Sequence, residues 1–318
     1  MARQKTTTQP PAGERSSRGT RPRQRDSGLH REITGTLALL TDEEDFARMR
    51  RYRTFPFDTH TAYLDEADRC LKQRAAQGRH TTLTLFDPEE YEEFCAESGL
   101  EADDPASRAR FTAHLQSCGP AVPYEGRPLS ELLPHLVDAA VRQATFAYAS
   151  ELLGDAGDCA DCGESLGRAA FDHAAHLLVA VLQVAGPGDH HLVCSTSAPS
   201  GTLLADLDVT VTPDGAFRLD ETDALDLTTV LASALATEAP SGLVARTART
   251  GRPDSVRGWR LREATLRPLS AAEVFDAYCT DTETGEPIPP EPGVDYRAAP
   301  ALDLFHPDRL HGHEGRSD

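Results

Sequence analysis

The chain has 318 residues, 39% hydrophobic and 26% charged, and its 51 acidic against 32 basic side chains leave a formal charge of −19. That length supports one large domain or two small ones with chain to spare for a core. The composition excludes a collagen, a coiled-coil rod, a disulfide mini-protein and a fully disordered chain. Only Lys5 and Lys72 are lysines, a bias that reads as GC-rich codon usage rather than function.

Residues 1–31 read as a disordered basic arm. They hold eight basic residues (Arg3, Lys5, Arg15, Arg18, Arg21, Arg23, Arg25, Arg31) against Glu14 and Asp26, a net of +6, which leaves −25 on the rest. Almost no large apolar side chain offsets the entropy of ordering them. The arm has no apolar stretch of the secretory kind, and its arginines are not a twin pair. The longest apolar run, Leu177 to Ala185, is broken by Gln183 and falls short of the roughly 20 residues a bilayer needs. Seven cysteines without an export signal predict free thiols in a reducing cytoplasm, with no membrane partner. Cys70, Cys95, Cys118 and Cys279 sit singly in apolar helical patterns and read as buried small hydrophobes.

Residues 32–118 read as a β-α-α-β-α-α half. A strand runs from Ile33 to Thr41, and Thr41 to Glu44 has capping-box spacing before a helix carrying Phe46, Met49 and Tyr52. A second helix spans Asp58 to Gln77, and a second strand Thr81 to Phe86. Asp87, Pro88 and Glu90 then supply an N-cap, a proline at the first position and an acid at the third, and Gly99 closes that helix. Asp104-Pro105 opens the next, as far as Cys118. A Pro/Gly-rich connector, 119–128, leads into a second region, 129–280. Ser130 to Leu153 and Glu164 to Val184 are helices by spacing, separated by an acidic loop. Strands follow at Leu192 to Thr196, Leu203 to Val211 and Ala216 to Leu219, then a helix at Asp223 to Thr237. A hairpin of Leu243 to Thr250 with Gly258 to Leu266 and a short helix from Ser270 to Tyr278 come last. Residues 281–318 read as an irregular acidic, Pro-rich tail. The fold class is α+β (mixed α/β): an α/β N-terminal half, a helical middle and a mostly antiparallel C-terminal sheet. The two regions could share one domain.

Three features carry chemistry. The first is Cys159-Ala-Asp-Cys162-Gly163 with His173 and His176 downstream, a C-x2-C-x10-H-x2-H spacing. Two thiolates on a tight loop and two histidines a helical turn apart suit a tetrahedral structural zinc site. Cys194, His190 and His191 are alternate ligands. The C-x-x-C-G turn resembles zinc-knuckle loops over the stretch Cys159 to His176, and identifies no activity. The spacing departs from that of nucleic-acid-reading fingers. A thioredoxin-like use of the pair is disfavoured by the helix before it and by Asp155, Asp158 and Asp161 around it.

The second is Asp206-Leu-Asp208, where alternation puts both carboxylates on one face of a strand, as a divalent metal for phosphoryl transfer requires. Nucleotidyltransferases resemble this but place a Gly-Ser pair several residues earlier, whereas Ser200-Gly201 is reversed and closer. The third is the arm, which can bind phosphate backbones without sequence preference. No phosphate-binding loop, dinucleotide fingerprint or nucleophile elbow is present. Trp259 and Leu261 alternate with Arg260 and Arg262, which places the tryptophan at the edge of a core. The residues argue for a cytoplasmic protein that binds or regulates a protein partner, with a structural zinc. A metal-dependent enzyme using Asp206 and Asp208, and a nucleic-acid accessory protein using the arm, are the alternatives.

Overall fold

The computed structural model describes residues 35–160, 162–281 and 284–302, with the side chain of Cys118 left aside. The basic arm, the start of the strand expected from Ile33, and the last dozen residues lie outside the described set. The architecture is mixed α+β. Contacts divide it into two compact units, one built from the chain up to Thr82 with Phe86–His114 and Tyr124–Gly126, the other from Leu83–Leu85, Leu115–Pro123 and the chain from Arg127.

The N-terminal elements are β1 (Thr36–Leu39), α1 (Glu43–Met49), α2 (His60–Ala76), β2 (Thr82–Leu85), α3 (Pro88–Ser98) and α4 (Pro105–Cys118). A short β3 (Val122–Pro123) completes a sheet of order β1-β2-β3. The connector 119–128 therefore contains a strand that Pro and Gly had hidden. The Asp87 cap bonds the amides of Glu89 and Glu90, and Gly99 takes the left-handed conformation that ends α3. At α1 the cap is Asp42, one residue later than the sequence suggested, because its carboxylate accepts from the Asp45 amide. Tyr63, Phe46 and Phe55 form an aromatic cluster around α2, and Phe86, Tyr91 and Phe111 form another.

The larger unit holds α5 (Leu129–Asp155), α6 (Leu166–Ala185), β4 (Gly188–Ala198), β5 (Gly201–Val211), β6 (Phe217–Leu219), α7 (Glu221–Thr237), β7 (Ser241–Ala248), β8 (Asp254–Arg262), β9 (Thr265–Pro268), α8 (Ala271–Tyr278) and β10 (Val294–Tyr296). Gly154 does not stop α5, which runs on to Asp155, and α6 starts at the Ser165 cap, two residues later than predicted. Seven strands form one sheet, in the order β10-β8-β7-β4-β5-β6 with β9 also on β8. All pairs are antiparallel except β10 with β8. Strand β10 lies in the stretch expected to be irregular; three residues flanked by prolines are too short to show alternation. The predicted strand 258–266 is two strands, β8 and β9, turning at Glu263 and Ala264, which both take positive φ.

Alternation gives the sheet two unlike faces. On one, Leu192, Cys194, Ala205, Leu207, Leu243, Ala245, Trp259 and Leu261 join apolar side chains of α6 and α7 in the core. Trp259 lies inside that core and donates its indole N–H to the Pro300 carbonyl at 3.0 Å. On the other face α8 covers β8, where a Cβ on Gly258 would stand 3.1 Å from Leu269 and 3.5 Å from Val274. Beyond α8, the outer face of β4 and β5 carries Asp189, His191, Asp206, Asp208 and Thr210, with the exposed Leu204 nearer the hairpin turn. No helix among the described residues is long and apolar enough to cross a membrane.

Candidate functional site

The β4–β5 hairpin turns at Pro199-Ser200, and its register brings polar side chains of the open face together. His191 stands opposite Asp208 on one side and Arg246 on the other. In the next row Thr210 stands between Asp189 and Arg218. Asp189, His191, Asp208, Thr210, Arg218, Arg246 and Asp254 are among the residues lining a hollow of about 340 Å³.

Inside it, His191 Nδ1 donates to Asp208 at 2.9 Å and the Thr210 hydroxyl to Asp189 at 2.7 Å. Arg246 donates Nε to Asp254 at 2.8 Å and its two terminal nitrogens to Glu291 at 3.0 and 2.9 Å. Those bonds raise the Arg246 pKa, Glu291 contributing most, and hold the side chain as a rigid wall. Arg218 makes no hydrogen bond or ion pair within the described residues, and it is exposed. The hollow thus offers one free guanidinium, an imidazole fixed by a carboxylate, and carboxylate oxygens with unused lone pairs.

Asp206 and Asp208 do share one exposed face of β5. Asp206 lies one row beyond the hollow, opposite Val193. It adds to the negative charge felt by Asp223 and Asp226 in α7, whose carboxyls are raised first by burial and then by neighbouring acids. Asp223 is paired with Arg142 at 3.0 Å. No group of three or more His, Cys, Asp or Glu among the described residues is placed to hold a metal ion.

The proposed zinc ligands are brought together only in part. Cys159 and Cys162 meet: the Gly163 amide closes a turn onto the Cys159 carbonyl at 2.8 Å, and the two thiols share a hydrogen bond. The Glu164 amide pulls the Cys162 thiol down, but the bond to Cys159, desolvation and the Cys159 and Glu164 charges leave it raised overall. His173 and His176 are engaged elsewhere. His173 Nε2 bonds the Ala264 carbonyl at 2.7 Å and His176 Nδ1 the Asp172 carbonyl at 2.6 Å. Each ring has one nitrogen on a backbone carbonyl and the other unengaged among the described residues, and neither histidine joins the cysteine pair in a group of three or more metal-ligating side chains there. Of the alternates, Cys194 is in the core, where burial pushes its thiol up to about 12. His190 is buried, bonding Thr247 at 3.0 Å and the Gly186 carbonyl at 2.8 Å, and His191 belongs to the hollow.

Asp189, Thr210, Arg218, Arg246 and Asp254 were not singled out from the sequence. The signal was present in the alternation of Asp189 with His191, and of Asp206, Asp208 and Thr210. Apolar patterning marks this strand only from Leu192, so the two histidines fall outside it by sequence.

Residues 23–127, about a third of the chain, match a family described as Domain of unknown function (DUF8829). The hollow lies outside that stretch. No curated protein and no solved structure matches the chain.

Proposed function

We propose that the chain is a binding protein whose ligand sits on the open face of the large sheet, and that it acts by recognition, not by catalysis. The carrying observation is Arg218: an exposed guanidinium, unpaired among the described residues, at the wall of a hollow in which every other charged group has a partner. A free guanidinium beside fixed carboxylates suits a small ligand that carries a carboxylate for Arg218 and ammonium or hydroxyl donors for Asp208 and Asp189. Against a hydrolytic use of His191 and Asp208, the nearest hydroxyl, on Thr210, donates to Asp189 and not to the imidazole. The phosphoryl-transfer reading of Asp206 and Asp208 lacks a third ligand among the described residues.

A thermal-shift panel of amino acids and hydroxy acids tests the reading. At least one member raises the melting temperature of the wild type, and Arg218→Ala loses the shift while melting normally without ligand. A panel without a hit, or a shift that survives Arg218→Ala, overturns it. The contact of Cys159 with Cys162 supports two ligands of a structural zinc. Elemental analysis of the untagged protein against a Cys159→Ser/Cys162→Ser variant decides that question, since metal bound there appears in the first and not the second.

A further inference from the structure

We propose a second site on the opposite face of the sheet, where Arg257, Arg249, Arg297 and the Ser255 hydroxyl bind a phosphate group. It does not rest on the reading of the open face.

Ser255 and Arg257 are two apart on β8 and therefore on one face. Arg257 stands beside Ala245 of β7. On its other flank β10 runs parallel to β8, with Asp295 beside Ser255 and Tyr296 beside Val256. The Arg297 amide then bonds the Val256 carbonyl at 2.9 Å, which carries Arg297 to the level of Arg257. Arg249 is fixed at the end of α6, its Nε on the Pro187 carbonyl at 2.9 Å and an Nη on that of Ala185 at 2.5 Å. Arg249, just past β7, and Arg297, just past β10, thus stand close enough to Arg257 on β8 for their charges to act on it, in a protein of net charge −19.

Two groups in this cluster are unsatisfied. Arg257 is partly buried and makes no ion pair or hydrogen bond among the described residues. Burial lowers its pKa, and the charges of Arg249 and Arg297 lower it further. Ser255 is 3% exposed, and its Oγ has no hydrogen-bond partner. Its cross-strand neighbour Thr247 cannot donate to it. Burial lowers the His190 pKa and favours its neutral form; the Gly186 carbonyl can only accept, so that form carries its proton on Nε2 and Nδ1 takes the Thr247 hydroxyl. The acid nearby, Asp295, is held by Arg297 at 2.7 Å. A desolvated guanidinium repelled by two others, with an orphaned hydroxyl on the same strand face, lowers the stability of the protein unless an anion completes it. A phosphate's oxygens can take donors from several directions at once, which a planar carboxylate does less well.

The test is calorimetric titration of the full chain with inorganic phosphate and with glycerol phosphate, chloride matching the ionic strength. Both bind the wild type if the site exists. Tighter binding of glycerol phosphate marks a phosphate group on a larger ligand, and equal binding marks the free ion. Arg257→Gln weakens binding by about tenfold or more, the loss of a charge-assisted bond, and Arg297→Gln and Ser255→Ala weaken it less. Arg218→Ala leaves it unchanged. Without phosphate, Arg257→Gln melts no lower than the wild type, because it removes an uncompensated charge. Absence of binding to the wild type, undiminished binding in Arg257→Gln, or a lower melting temperature for that variant in phosphate-free buffer overturns the proposal.

Discussion

At the first turn of α1, Asp42 caps the helix and Asp45 sits three residues on, so two carboxyls share one small volume. The Asp45 pKa is raised from 3.8 to about 6, by burial first and then by Asp42 and Asp87. A raised acid means that the folded state keeps a proton the unfolded chain has given up. Its contribution to stability is therefore full below pH 3.8 and is lost as pH rises through about 6. Asp45→Asn removes that loss. Its melting temperature should rise relative to the wild type between these two pH values and hold a constant advantage above them; a difference that does not vary with pH contradicts the assignment. His173 gives a second expectation at this scale. Its bond to Ala264 ties α6 to the β8–β9 turn, so His173→Ala should cost about 1 kcal/mol in denaturant unfolding, equally with and without a chelator. A cost that a chelator abolishes would return His173 to a metal site. Capping residues such as Asp87, Gly99 and Ser270 were legible in the sequence because each acts within a few residues of itself. The partner of His173 was not, since Ala264, whose carbonyl accepts from the ring, is 91 residues away.

Among elements, the close approach of α5 and α6 depends on a residue that local reading passes over. A Cβ on Gly167 would lie 2.3 Å from the Leu153 carbonyl oxygen, and backbone cannot swing aside as a side chain can. Gly167→Ala should destabilise the protein by about 1–3 kcal/mol, the range for overpacking, despite alanine's better helix propensity. Equal or greater stability in urea denaturation would show that the helices are free to separate. The apolar periodicities of α5, α6 and α7 and the alternation of β5 and β7 identified the large elements correctly, since each has one face in the core. Strand ends were harder. Extending β4 back to Gly188 would have paired His191 with Asp208 by register alone, because the turn at Pro199-Ser200 fixes every pair of the hairpin. The polar Asp189-His190-His191 has no apolar alternation to announce it. The strand there is held by its neighbours β5 and β7.

For the whole molecule, composition excluded more than it identified. Periodicity, not composition, distinguished the α/β N-terminal region from the antiparallel sheet, and composition gave the sign of the charge without its arrangement. That arrangement matters here. The carboxylates of Asp206 and Asp208 and the guanidinium of Arg257 belong to opposite faces of a single sheet, an effect of strand alternation that no net charge reveals. The spacing of the cysteine pair is visible in one stretch of chain, whereas the hollow gathers residues from β4, β5, β6, β7 and β8. Function assembled from several strands needs the register before it can be read.

The measurement that tests the central claim most directly is the affinity of the strongest amino-acid or hydroxy-acid ligand for the wild type, Arg218→Ala and Arg257→Gln. Binding should fall by about tenfold or more in Arg218→Ala and stay unchanged in Arg257→Gln, which lies on the other face. Equal affinity in the wild type and Arg218→Ala, or a loss confined to Arg257→Gln, would contradict a binding site on the open face.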